Sequence, residues 1–131
     1  MLGIRNLTFE DLEFIWKNVE GEKWMYLETD ILRCYNLEPS GCFIAEVDSE
    51  RVDHVFSFNY GNIGWIGLLI VCPEYRGSGI GTKLMQTAIK YLRKMNVKTI
   101  KLEAVVKTLS LYERLGFKIE FESYNKNKYC Q

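Results

Sequence analysis

The chain has 131 residues, 47% hydrophobic and 26% charged, which suits one domain spanning 1–131 with a core to bury and excludes a disordered polar chain. Its 17 Lys and Arg balance 17 Asp and Glu, so the zero net charge weighs against a general nucleic-acid binder. Four cysteines without a CxxC pair and a single histidine weigh against a zinc site, and the longest apolar run, 63–72, is half of what a membrane helix needs.

In chain order, Ile4 and its neighbours predict a short first strand. Thr8 stands as an N-cap with Asp11 at capping-box spacing, and Leu12, Ile15, Trp16 and Val19 then share one helical face. "GEKWMYLE" is ambiguous. Thr29 and Asp30 open a second short helix through Cys34 and Tyr35 that ends before Pro39. Three strands follow: "CFIAEV", "RVDHVFSFNY" after the turn "DSE", and, past a hairpin signal at Gly61 and Asn62, "IGWIGLLIV". The third is apolar on both faces and reads as central. Its Gly64 and Gly67 mark a bulge or a close approach.

A helix from about Ser78 to Lys94 carries Ile80, Leu84, Ala88 and Leu92 in one row. "KTIKLEAV" is a strand, "LSLYERLGF" a short helix closed by Gly116, and "FKIEFES" an alternating strand. Lys126 and Lys128 read as a solvated tail. Strands and helices mixed in one small chain give an α/β or α+β layered sheet.

The stretch "VCPEYRGSGIG" poses the functional question. Pro73 stops the strand, glycines occupy positions 77, 79 and 81, and a helix begins. A helix N-terminus presents unpaired N–H groups and partial positive charge. Residues without Cβ atoms let a phosphate reach those amides, and Arg76 adds a full charge. The P-loop pattern fails because position 76 is Arg and Gly81 is followed by Thr82 before Lys83. The dinucleotide pattern fails because its third glycine position is Thr82.

Arg-x-x-Gly-x-Gly after an apolar strand and "PEY" resembles the acetyl-CoA loop of the GNAT family of N-acetyltransferases. "LYERLGF" is similar to that family's second signature, and the resemblance runs from about Ile4 to Ser123. It implies a mixed, mostly antiparallel sheet with a splayed strand pair and helices on both faces. It also implies acetyl-CoA as cofactor, held by Arg76, Gly77, Ser78, Gly79, Ile80, Gly81 and Thr82. Main chain of Leu69, Ile70 and Val71 would polarise the thioester and pair with the pantetheine arm. Two departures stand out: "AVVKTLS" has no asparagine, and "WIGLLI" has no carboxylate.

Acetyl transfer needs a neutral amine, a polarised carbonyl and a protonated leaving thiolate. The resemblance assigns the last task to Tyr112, whose phenol, with a pKa of about 10, is protonated at neutral pH. Glu103 is the expected base in a setting similar to relatives that acetylate protein N-termini, and it reads equally as a solvated carboxylate beside Lys101 or a neighbouring-strand lysine. Cys72, with no histidine near it in sequence, reads as packing rather than as a nucleophile. His54 reads as structural. Trp16, Trp24 and Tyr26 read as core before acceptor lining, and Glu20, Glu22, Glu28 and Asp30 as a solvated face or a lure for a cationic amine.

The expectation is a cytoplasmic N-acetyltransferase acting on a small amine or a protein amine, without nucleic acid, membrane or metal, with a homodimer left open. The alternative is a coenzyme A-binding sensor without turnover.

Overall fold

The computed structural model describes residues 2–21, 28–71, 79–105, 114–123 and 126–130. They form β1 (Leu2–Asn6), a 3-10 turn (Phe9–Asp11), α1 (Leu12–Gly21), α2 (Glu28–Leu37), a second 3-10 turn (Pro39–Gly41), β2 (Cys42–Val47) and β3 (Glu50–Asn59). β4 (Ile63–Val71), α3 (Ile80–Lys94), β5 (Thr99–Val105), β6 (Lys118–Ser123) and β7 (Lys126–Cys130) follow. One seven-stranded sheet runs β1-β2-β3-β4-β5-β7-β6. Its neighbours are antiparallel except β4 and β5, which are parallel and are joined through α3.

The turns explain the antiparallel half. Asp48 and Ser49 adopt φ of 51° and 70°, the doubly positive pair that a two-residue hairpin requires, so Val47 faces Glu50. Gly61, at φ +90°, makes the next reversal, where the Tyr60 N–H donates to the Ile63 carbonyl at 2.9 Å. Gly116, at φ +91°, ends the expected short helix, of which Arg114 is described as helical.

Two cores flank the sheet. α3 buries Ile80, Leu84, Met85, Ala88 and Leu92 against Val52, Val55, Ile66, Ile100, Leu102 and Phe117. On the other face α1 and α2 enclose Ile15, Val19 and Ile31 with Cys42, Ile44 and Phe56. Each fully buried aliphatic side chain contributes about 1.5–3 kcal/mol. Gly64 is the close approach expected from its type: a Cβ there would lie 2.9 Å from Leu92 Cδ1 and 3.1 Å from Val97 Cγ1. This contact sets the end of α3 over the start of β4. α3 therefore runs back along the strand and places its N-terminus at the carboxyl end of β4.

The first turn after Thr8 is 3-10 rather than α, and α1 starts at Leu12. The Thr8 N–H donates to Asp11 Oδ2 at 2.8 Å, as the capping-box spacing implies. Asp11 is fully buried and also accepts from Arg5 Nη1 (2.8 Å), Arg5 Nη2 (3.0 Å) and Arg51 Nε (2.6 Å). These bonds tie β1, the 3-10 turn before α1 and β3 together.

One expectation is corrected. Lys126 and Lys128 do not belong to a tail: they lie in β7, which inserts between β5 and β6. Strands on both sides satisfy the β7 backbone, and this nonlocal pairing overrides a charged composition that disfavours strands.

Candidate functional site

The parallel register of β4 and β5 covers four pairs, from Ile63–Thr99 to Ile66–Leu102, and stops there. Beyond it β4 continues to Val71 paired with β3, while β5 continues to Val105 paired with β7. Each strand thus follows a different neighbour, and the two part at their carboxyl ends. Among the described residues no strand fills the β4 edge that this exposes. A crevice outside the carboxyl ends of parallel strands, beside a helix N-terminus, is where open α/β sheets bind ligands.

A bulge lies at the same place. His54 faces Ile70 and Phe56 faces Gly67, so Leu68 and Leu69 together oppose Val55. The extra residue follows Gly67, the second glycine expected to mark an irregularity. Bulges leave a main-chain group outside the ladder and turn it toward a new partner. Leu69, Ile70 and Val71 therefore sit on the parting strand, where the resemblance requires main-chain donors.

At the mouth of the crevice Gly79 caps α3 with φ +88°, a conformation that L side chains rarely adopt. Among the described residues, its chain neighbours aside, no atom lies within 4 Å of where its Cβ would be, so the position is open toward them as well as left-handed. The first bond of the helix is Lys83 N–H to the Gly79 carbonyl, 3.1 Å, which leaves the amides of Ile80, Gly81 and Thr82 without an acceptor inside the helix. An unpaired strand edge, open space at a capping glycine and a row of helix-terminal amides fit the arm and the diphosphate of coenzyme A.

Of the remaining expected residues, Arg76, Gly77 and Ser78 lie outside the described residues, as do Cys72 and Tyr112. Glu103 is the first β5 residue past the last β4 pair and faces Lys128 of β7 in register. Sequence reasoning missed that lysine's position, because the only signal for β7 was the weak alternation in "KNKYC". Trp24, Tyr26 and Glu22 also lie outside. Trp16 is partly buried in the α1–α2 core, and Asp30 sits 3.8 Å from Arg33. His54 is fully buried, edge-on to Phe14 at 6.2 Å and Phe56 at 6.3 Å, as a structural residue would be.

Cys42 is buried and donates from Sγ to the Glu38 carbonyl at 3.3 Å. Burial first, then Cys34 and Glu38, push its thiol up to about 12. It is an unreactive packing thiol. The Tyr91 hydroxyl donates to Glu38, which also accepts from the Asn59 N–H at 3.4 Å, and burial together with Glu38 pushes the phenol up to about 12. Tyr91 lies near the end of α3, away from the crevice, and serves to hold the end of α2 against α3.

Known proteins share the sequence pattern and the fold. The sequence profile of the acetyltransferase (GNAT) family matches residues 4–117. An uncharacterized N-acetyltransferase of Methanocaldococcus jannaschii is 30% identical over 87% of this chain and 59% of its own length. N-alpha-acetyltransferase 30 of Saccharomyces cerevisiae is 37% identical over 60% of this chain and 43% of its own. The chain thus spans about half the length of these two curated relatives. The structure of PaiA N-acetyltransferase from Thermoplasma acidophilum in complex with coenzyme A shares the fold, with a TM-score of 0.85 at 24% identity over 100% of this chain and 98% of that one. The matched region contains both the glycine turn and the tyrosine segment along with the parting strands, and the chain belongs to the acetyltransferase (GNAT) family.

Proposed function

We propose that this chain is an acetyl-CoA-dependent N-acetyltransferase. The observation that carries the reading is the parting of β4 and β5 past Ile66 and Leu102, beside the N-terminus of α3. Acetyl-CoA supplies an acetyl group activated as a thioester. The open β4 edge at Leu69, Ile70 and Val71 binds an extended arm by main-chain hydrogen bonds, and a β4 amide freed by the bulge polarises the carbonyl. Arg76, Gly77, Ser78 and Gly79 with the amides of Ile80, Gly81 and Thr82 hold the diphosphate. Tyr112 protonates the departing thiolate, and Glu103 takes the proton from the attacking amine.

The acceptor we rank first is the α-amino group of a peptide. The likeness to N-alpha-acetyltransferase 30 supports this, and so does a chemical argument. An α-amine has a pKa of about 7.7–8.0, so a sizeable share is neutral near pH 7.5, against about one part in a thousand for a lysine amine near 10.4. A site with no carboxylate in "WIGLLI" and one candidate base on β5 suits the easier amine. The cysteine usage supports a cytoplasmic setting.

The test is release of free coenzyme A from acetyl-CoA in the presence of peptides with free α-amines, Nα-blocked lysine peptides and small amines. The expected outcome is stimulation by the free α-amines above all others, and a fall of about 10²–10⁴-fold in kcat for Tyr112→Phe with cofactor affinity retained. Binding of acetyl-CoA with no stimulation by any amine would overturn the enzyme reading in favour of a sensor. Preference for the lysine peptides would overturn the acceptor class alone.

A further inference from the structure

The zero net charge is a sum over two opposed halves. Eleven of the 17 carboxylates fall in residues 1–50, against four Lys and Arg. Residues 79–102 contain six Lys and Arg and no carboxylate. This segment is α3 and the start of β5, on the opposite face of the sheet from α1 and α2.

On α3 the exposed residues are Lys83, Gln86, Lys90, Arg93 and Lys94, and Lys98 is exposed just beyond it. The cations of α1 and α2 are paired: Lys17 lies 3.3 Å from Glu13, and Arg33 lies 3.8 Å from Asp30. Among the described residues no carboxylate lies within ion-pair distance of Lys83, Lys90, Lys94 or Lys98. Lys90 with Lys94, and Lys90 with Arg93, occupy spacings at which like charges repel. Lys83 stands in the first turn, where the macrodipole disfavours a cation. Arg93 has a local purpose, donating from Nη1 to the Val97 and Lys98 carbonyls.

We infer that the outward face of α3 is a docking surface for the phosphate backbone of a nucleic acid, engaged by Lys90 and Lys94 on the helix and by Lys98 just past its end. The composition selects this occupant. A protein partner favours aromatic and apolar anchors and few lysines, whereas the exposed residues of α3 are all polar or charged and one apolar side chain, Met95, is exposed at its C-cap. Stable attachment to an anionic membrane takes an apolar anchor beside the charges, and the apolar face of α3 is buried in the core. What remains is a row of flexible point charges, the chemistry of sequence-independent phosphate binding. The net-charge argument against nucleic acid concerns only the sum, and Lys83, Lys90, Lys94 and Lys98 stand exposed with no carboxylate of the described residues paired to them.

The experiment is fluorescence anisotropy of a labelled mixed-sequence RNA of roughly 20 nucleotides, titrated with the full chain in saturating coenzyme A. Binding to about three phosphates is expected to weaken about 20- to 40-fold between 50 and 200 mM salt. Lys90→Gln, Lys94→Gln and Lys98→Gln combined should lower affinity at least about tenfold at low salt, with the melting temperature checked. Lys17→Gln, on the other face, should change nothing. The inference is overturned by no binding at 50 mM salt, by equal affinity of the folded triple variant, or by loss of binding when coenzyme A is added. Binding to polyglutamate or phosphatidylserine vesicles as tight as to RNA would overturn the choice of occupant. Because the acetyl-transfer assay needs none of these lysines, the two readings fail separately.

Discussion

At Asp11 a single buried carboxylate accepts hydrogen bonds from two arginines and from the Thr8 main chain. Burial alone would raise its pKa, but the bonds from Arg5, Thr8 and Arg51 outweigh it and hold the carboxyl well below the usual range. A depressed folded-state value means the stabilisation is complete above the unfolded pKa of about 3.9 and is lost as the pH falls toward the folded value. Arg5 and Arg51 are 37% and 40% exposed, and solvent screening discounts the gain. Asp11→Asn is therefore expected to cost about 2–4 kcal/mol at pH 7, with a gap to the wild type that narrows from pH 5 down to pH 2. Urea denaturation across that range checks it, and a gap independent of pH would refute the assignment. Two glycines give a paired expectation. Gly64→Ala meets Leu92 and Val97 and should lower stability by about 1–3 kcal/mol without altering affinity for coenzyme A. Gly79→Ala meets no atom of the described residues beyond its chain neighbours, and should weaken coenzyme A binding at least about tenfold, with a strain cost of only about 1–2 kcal/mol. Calorimetry and thermal melts separate the two.

Among the elements, α3 was legible because its apolar row repeats every four residues over 15 residues and ends in Arg93 and Lys94, so local pattern and core agree. The hairpins were legible from their turn residues. β7 was not, since "KNKYC" acquires strand character only by hydrogen bonding to β5 on one side and β6 on the other. Its backbone is the test. Asn127 faces Ala104 and Glu122, so Asn127→Pro removes a ladder donor from an interior strand and is expected to cost about 3 kcal/mol or more. A denaturation midpoint equal to that of the wild type would show that β7 adds little to the fold.

For the molecule as a whole, the sequence alone determined the layered α/β class, the order of most elements and the family. These rest on short-range regularities, because a helical period, a hairpin turn or a capping glycine is written in adjacent residues. Tertiary structure alone decided where β4 and β5 part, that β7 pairs with β5 at Glu103, that Asp11 gathers Arg51 as well as Arg5, and that a neutral chain carries exposed cations along α3. Each depends on residues far apart in the chain meeting across the sheet. A strand's neighbours and a charge's surroundings are properties of packing, and no local window of sequence contains them.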